Sequence, residues 1–163
     1  MTEFFRRHPA GRCFIIALPV AATLIVGALA SLMQSDALQR WYPTLEKSSL
    51  TPPNLVFPIV WTLLYILTGL SMGLVLLSGD KRKYLALPLF AFQLGLNFLW
   101  CYLFFICKST GGALLCLIVL TGTAVCYTAA SWRIRKTAAI LFVPYIAWLC
   151  FAFYLNLYIW LCN

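Results

Sequence analysis

The chain has 163 residues, of which 63% are hydrophobic and only 10% charged, and its mean hydropathy is +0.92. Soluble domains run at about 45–50% apolar and about 25% charged, so the composition excludes a disordered chain, a secreted disulfide miniprotein and a conventional cytosolic enzyme. It describes an all-α membrane protein.

Five stretches carry no Asp, Glu, Lys, Arg or His: residues 13–33, 56–77, 84–107, 113–132 and 137–161. Each is about 20–25 residues long, enough at 1.5 Å per residue to cross a hydrocarbon layer of about 30 Å. A single five-transmembrane-helix bundle over residues 1–163 is therefore expected. The first stretch follows Arg6, Arg7 and Arg12 as a signal peptide would, but it exceeds a 7–15-residue signal core and lacks a clear A-x-A cleavage site.

Net charge is +8, from 12 Lys and Arg against 4 Asp and Glu. The positive residues sit between the apolar runs: Arg6, Arg7 and Arg12, then Lys81, Arg82 and Lys83, then Arg133, Arg135 and Lys136. That pattern is a membrane-topology signal, and no nucleic-acid partner is expected. Five spans place these nine on one side and Arg40, Lys47 and Lys108 on the other, so the N-terminus is expected to be cytoplasmic.

The connection at residues 34–55 is the long one and carries Trp41, Tyr42, Pro43, Pro52 and Pro53. It reads either as a lid over one end of the bundle or as an interfacial segment anchored by its aromatic rings. Gly69 and Gly73 in the second span, and Gly27 with Ser31 in the first, give small-x-x-x-small spacings. Such pairs serve a homodimer face or contacts within one chain.

No span contains an acid or base, so general acid–base catalysis, hydrolysis and a proton relay through buried carboxylates are not expected. His8 is the single histidine. Seven cysteines, at 13, 101, 107, 116, 126, 150 and 162, form no C-x-x-C; they read as small apolar fillers, with no metal site expected, although haem ligation through a thiolate stays open.

Uncharged polar and aromatic residues fall on single helical faces. Gln93, Asn97, Trp100 and Phe104 stand at i, i+4, i+7 and i+11; Tyr145, Trp148, Ala152 and Asn156 at i, i+3, i+7 and i+11; Phe57, Trp61 and Tyr65 at i, i+4 and i+8. An Asn in hydrocarbon needs a partner and so faces the bundle interior. Two readings remain: an apolar cleft with a few orienting hydrogen bonds, or amides acting as interhelical glue among core aromatics in a structural protein without a ligand.

Three blocks bear on that choice. Trp41-Tyr42 with Leu45, Lys47, Pro52-Pro53, Val56-Phe57-Pro58, Val60-Trp61-Thr62 and Leu64-Tyr65 form the first; Gln93, Leu96-Asn97 and Trp100 the second; Pro144-Tyr145, Trp148, Phe151-Ala152 and Leu155-Asn156 the third. Together they resemble the tryptophan-rich sensory protein family, also called translocator protein or peripheral benzodiazepine receptor (TspO/MBR), over about residues 41–156.

The resemblance implies an integral, multi-pass receptor or transporter-like binder in a bacterial cell membrane, often homodimeric. Its implied ligands are tetrapyrroles such as protoporphyrin IX, or a haem-like relative, and isoquinoline and benzodiazepine compounds, with a role in tetrapyrrole or stress-linked regulation. The implied ligand-binding residues are Phe57, Trp61, Tyr65, Asn97, Trp100, Trp148 and Ala152, beneath a lid bearing Trp41, Tyr42, Pro52 and Pro53. No catalytic residue is expected; the enzymatic alternative is light- and oxygen-dependent porphyrin degradation in which Trp61 and Trp148 take part. The chain departs from the family at Lys47-Ser48-Ser49-Leu50-Thr51, where K-P and an aromatic are usual, and at Leu55, which replaces a common tryptophan. These changes imply a looser lid or one tuned to another ligand. No Lys or Arg follows Tyr154 or Tyr158, so cholesterol is not the expected main ligand.

Overall fold

The computed structural model describes residues 8–163; Arg6 and Arg7, counted above on the N-terminal side, lie outside the described residues. Among the described residues there are five α-helices: α1 (Pro9–Arg40), α2 (Val56–Leu77), α3 (Lys83–Cys101), α4 (Thr110–Trp132) and α5 (Lys136–Cys162). A 3-10 turn covers Tyr42–Thr44 and a π-helical turn, Tyr102–Ile106, extends α3. With that extension counted, all five helices are long and apolar enough to cross a membrane. The chain is a multi-pass integral membrane protein.

Helix α1 runs 32 residues, so the part of the expected loop from 34 to 40 is helical instead. Nothing in Gln34–Arg40 breaks a helix: the segment lacks Gly and Pro, and Asp36 pairs with Arg40 one turn on, at 3.0 Å. The connection that remains, residues 41–55, is correspondingly tighter. At the start of α3, Asp80 Oδ1 accepts the backbone N–H of Arg82 at 2.8 Å and its carboxylate takes the guanidinium at 2.7 Å. That bonding holds the Asp80 carboxyl below the usual carboxylate range. Gly79, at φ 74°, supplies the left-handed residue that reverses the chain there.

The helices form a closed ring: α1 packs on α2, α2 on α5, α5 on α4, α4 on α3, and the π-helical turn returns to α1. The solid core lies toward the end that carries the basic connections. There Tyr127, Phe142 and Met72 are fully buried, and the rings of Tyr127 and Phe142 stand 4.4 Å apart. Ser71 Oγ donates to the Ala138 carbonyl at 2.7 Å and lies 3.0 Å from the Tyr127 hydroxyl.

The glycine pair of α2 serves contact within the chain. A Cβ on Gly69 would lie 2.5 Å from Val20 Cα, and one on Gly73 2.8 Å from Ile16 Cα, both backbone atoms of α1. Thr23 Oγ1 then crosses the same seam to donate to the Tyr65 carbonyl at 2.8 Å. Close backbone approach of this kind is what small residues permit in a bilayer, where dispersion rather than water expulsion drives helix association. Gly69→Ala is expected to destabilise the protein by about 1–3 kcal/mol through overpacking, read as a lower melting point in detergent. Gly95→Ala is the control: among the described residues, nothing lies within 4 Å of its added methyl.

Candidate functional site

At the end of the bundle opposite the solid core, the helices enclose a cavity of about 750 Å³. Its walls come from the C-terminal half of α1, the start of α2, the end of α3 with its π-helical turn, and the second half of α5. Tyr42 and Asn54 of the first connection close the rim.

One wall is aromatic. Trp61 is the hub, stacked on Tyr65 at 5.6 Å and edge-on to Trp148 at 6.4 Å and Tyr145 at 6.3 Å. Phe57 sits 6.0 Å from Trp148. On α3, Trp100 stacks on Phe104 at 5.4 Å. Offset and edge-to-face contacts of this kind are the preferred aromatic geometries, so the rings brace one another.

Two asparagines hold these rings in place. Tyr65 Oη donates to Asn97 Oδ1 at 2.7 Å, and Asn97 Nδ2 donates to Tyr145 Oη at 3.3 Å, joining α2, α3 and α5 at one level. Trp100 Nε1 donates to Asn156 Oδ1 at 3.0 Å, while Asn156 Nδ2 donates to the Thr110 carbonyl at 2.9 Å. Asn97 and Asn156 are 1% and 2% exposed, so neither is left to lipid. Among the described residues the Trp148 indole N–H is buried without an acceptor and Gln93 Oε1 is buried without a donor.

Of the residues singled out from sequence, Phe57, Trp61, Tyr65, Trp100, Trp148 and Ala152 line the cavity together. Asn97 does not: its amide is consumed by Tyr65 and Tyr145 behind the wall, so it positions Tyr65 rather than facing a ligand. Of the four residues placed in the lid, only Tyr42 reaches the lining. Trp41 instead packs edge-on against Phe104 at 5.6 Å with Lys108 Nζ 5.8 Å from its ring centre, and Pro52 and Pro53 lie outside the lining.

The connection is tied down rather than loose. Lys47 Nζ donates to the carbonyls of Tyr42 and Leu45 at 2.9 and 2.7 Å and covers the Tyr42 ring. Ser48 Oγ lies 2.8 Å from Tyr154 Oη, and Asn163 exchanges side-chain hydrogen bonds with both backbone groups of Glu46. Burial raises the Tyr42 hydroxyl above its ordinary range, keeping it protonated at the rim.

Two contributions escaped the sequence reading. Phe105, 7% exposed and in the lining, falls off the α-helical face that Trp100 and Phe104 share. The π-helical turn, closed by Cys107 N–H to the Tyr102 carbonyl at 3.0 Å, widens the helix so that both phenylalanines face inward. The α1 wall was missed altogether, although Gly27, Ser31, Gln34 and Leu38 stand at i, i+4, i+7 and i+11. That spacing was the available signal.

A five-helix membrane bundle with an aromatic cavity at one end is thereby defined. The chain belongs to the TspO/MBR family, whose pattern it matches over residues 16–161. It is 36% identical over 144 residues to the tryptophan-rich protein TspO of Archaeoglobus fulgidus, covering 88% of this chain and 94% of that one. It is 37% identical over 143 residues to the protein of the same name from Chlorobaculum tepidum, covering 86% and 90%. To the human translocator protein it is 39% identical over 124 residues, covering 74% and 73%.

Replacing Asn97 with Leu is expected to cost about 1–3 kcal/mol, because the buried Tyr65 hydroxyl loses its acceptor. Adding Tyr65→Phe to that variant removes the orphaned group and recovers part of the loss. A double-mutant cycle on detergent melting curves checks the coupling.

Proposed function

We propose that this protein is a membrane binder and transporter-like receptor for flat hydrophobic ligands, of which tetrapyrroles such as protoporphyrin IX are the best candidates, serving tetrapyrrole or stress-linked regulation. The observation that carries this reading is the open volume of about 750 Å³ between α1 and the braced rings of Trp61, Trp100 and Trp148. It falls within the 300–1,000 Å³ typical of small-molecule sites. Helices whose aromatics were merely core filler would have closed it, as they do at the other end of the bundle.

The remaining features fit a ring-shaped guest. Indole and phenyl faces offer dispersion and stacking to a π-system. With the N-terminus cytoplasmic, the cavity opens toward the opposite face of the membrane. Membership of the TspO/MBR family supports a ligand-binding role of this sort.

Protoporphyrin IX is expected to quench tryptophan fluorescence saturably in detergent, with the Trp61→Phe, Trp148→Phe double variant weakened at least about tenfold through loss of ring contact. Quenching that is unchanged in the double variant would mean partition into the micelle, and would refute the proposal.

A second reading is favoured by the contacts of Trp61 with Tyr65, Tyr145 and Trp148, a chain of oxidisable rings against the cavity. On that reading the protein supports light-driven degradation of a bound porphyrin by oxygen, and the chemistry is initiated by the ligand itself. Illumination of the complex under oxygen is then expected to give a stoichiometric product that is absent under argon and lost with both tryptophans. Identical bleaching in empty detergent would exclude it.

A further inference from the structure

Charge is distributed unevenly between the two ends of the bundle. The end with the solid core carries Arg12 in the first turn of α1, Lys81, Arg82 and Lys83 where the chain enters α3, and Arg133, Arg135 and Lys136 between α4 and α5; among the described residues its one acid is Asp80. Asp80 is taken up by Arg82 at 2.7 Å. None of the other six cations forms an ion pair among the described residues. At the opposite end Arg40 pairs with Asp36, Lys47 with backbone carbonyls and Lys108 with the Trp41 ring, so each cation has a partner within the protein. Insertion topology accounts for the side on which the surplus lies. It does not require the surplus to be held in order.

Two neighbouring turns hold it so. Helix α4 packs on both α3 and α5, which brings the α2–α3 and α4–α5 connections side by side. The α4–α5 turn is fixed from beneath: the Ser131 carbonyl accepts the N–H groups of Ile134 and Arg135 at 3.0 and 2.7 Å, and the Ala138 carbonyl accepts Ser71 Oγ from α2 at 2.7 Å. Arg133, Arg135 and Lys136 stand exposed on it. Each turn also lays a lysine over an outward-facing ring, Lys83 Nζ 5.5 Å from the centre of Tyr84 and Lys136 Nζ 5.7 Å from that of Trp132. These rings are 72% and 49% exposed. An exposed Tyr or Trp at the end of a spanning helix lies at headgroup level, so each ammonium is stationed at the depth of the lipid phosphates. Below the rings the exposed surface is apolar, with Leu85 and Leu87 on α3 and Val125 on α4.

We propose that this end of the bundle binds an anionic phospholipid: the Arg133–Lys136 turn, with Lys83 on the neighbouring helix, holds the phosphate of a lipid bearing net negative charge, and its acyl chains lie along the outer faces of α3 and α4. Guanidinium forks match phosphate oxygens in pairs, and a cationic rim above an apolar flank has the same polarity profile as such a lipid. A free phosphate would use the rim alone. The site is separate from the aromatic cavity, and the proposal does not depend on what the cavity binds.

Native mass spectrometry of the full chain in detergent, with dioleoylphosphatidylglycerol and dioleoylphosphatidylcholine at equal concentration, tests it with two lipids that share chains and differ in headgroup charge. Phosphatidylglycerol adducts are expected to predominate at least about tenfold. Arg133→Gln with Arg135→Gln is expected to bring the ratio close to one, each cation at an anionic lipid surface being worth about fivefold. Arg133→Lys with Arg135→Lys, which keeps the charge on the same turn, is expected to retain most of the preference. Arg40→Gln with Lys108→Gln removes as much charge from the other end and is expected to change the ratio by less than about twofold. Equal losses in the two glutamine double variants would reduce the effect to net charge and overturn the proposal, as would a wild-type ratio near one. Displacement of the lipid by millimolar inorganic phosphate would assign the surface to a free anion and overturn it too.

Discussion

The absence of water from the bilayer interior is the constraint on which this structure depends. A polar side chain placed there must be met by another, and each such meeting fixes two helices at a set distance. Asn97 answers to tyrosines on α2 and α5, and Asn156 to an indole on α3 and a carbonyl at the start of α4. These bonds align the aromatic side chains and also set the spacing of the helices that carry them. The cavity is the space that such spacing leaves unfilled.

The two ends of the bundle solve opposite problems. Near the basic connections, glycines let α1 and α2 touch backbone to backbone, and Tyr127, Phe142 and Leu120 leave no room between helices. At the other end Gly27 admits the Tyr65 ring against α1, and beyond that contact large rings line a void instead of filling it. The first connection adds a cover pinned to α5 through Ser48, Tyr154, Glu46 and Asn163. Ser48, within the stretch Lys47–Thr51 that departs from the family's usual K-P and aromatic, supplies one of these bonds.

Within the cavity, chemistry is divided by helix. Aromatic surface comes from α2, α3 and α5, while α1 adds small and uncharged polar residues to the lining. Family membership carries the membrane-protein architecture and a ligand-binding role.

By itself the sequence determined that five helices cross the membrane, because an uncharged run of about 20 residues has no other stable disposition in lipid. It also determined which faces of the second, third and fifth spans turn inward, since helical spacing puts Phe57 with Trp61 and Trp100 with Phe104 whatever the neighbours are. Three things needed the tertiary structure. Asn97 lies behind the wall because a tyrosine from another helix reaches it first, and one-dimensional spacing cannot rank competing partners. Phe105 faces inward because a π-helical turn breaks the regular period on which face assignment relies. The α1 wall and the void depend on how far apart helices stand, a distance set jointly by glycines in α2, bulk in α5 and hydrogen bonds in α3, and no single segment encodes it.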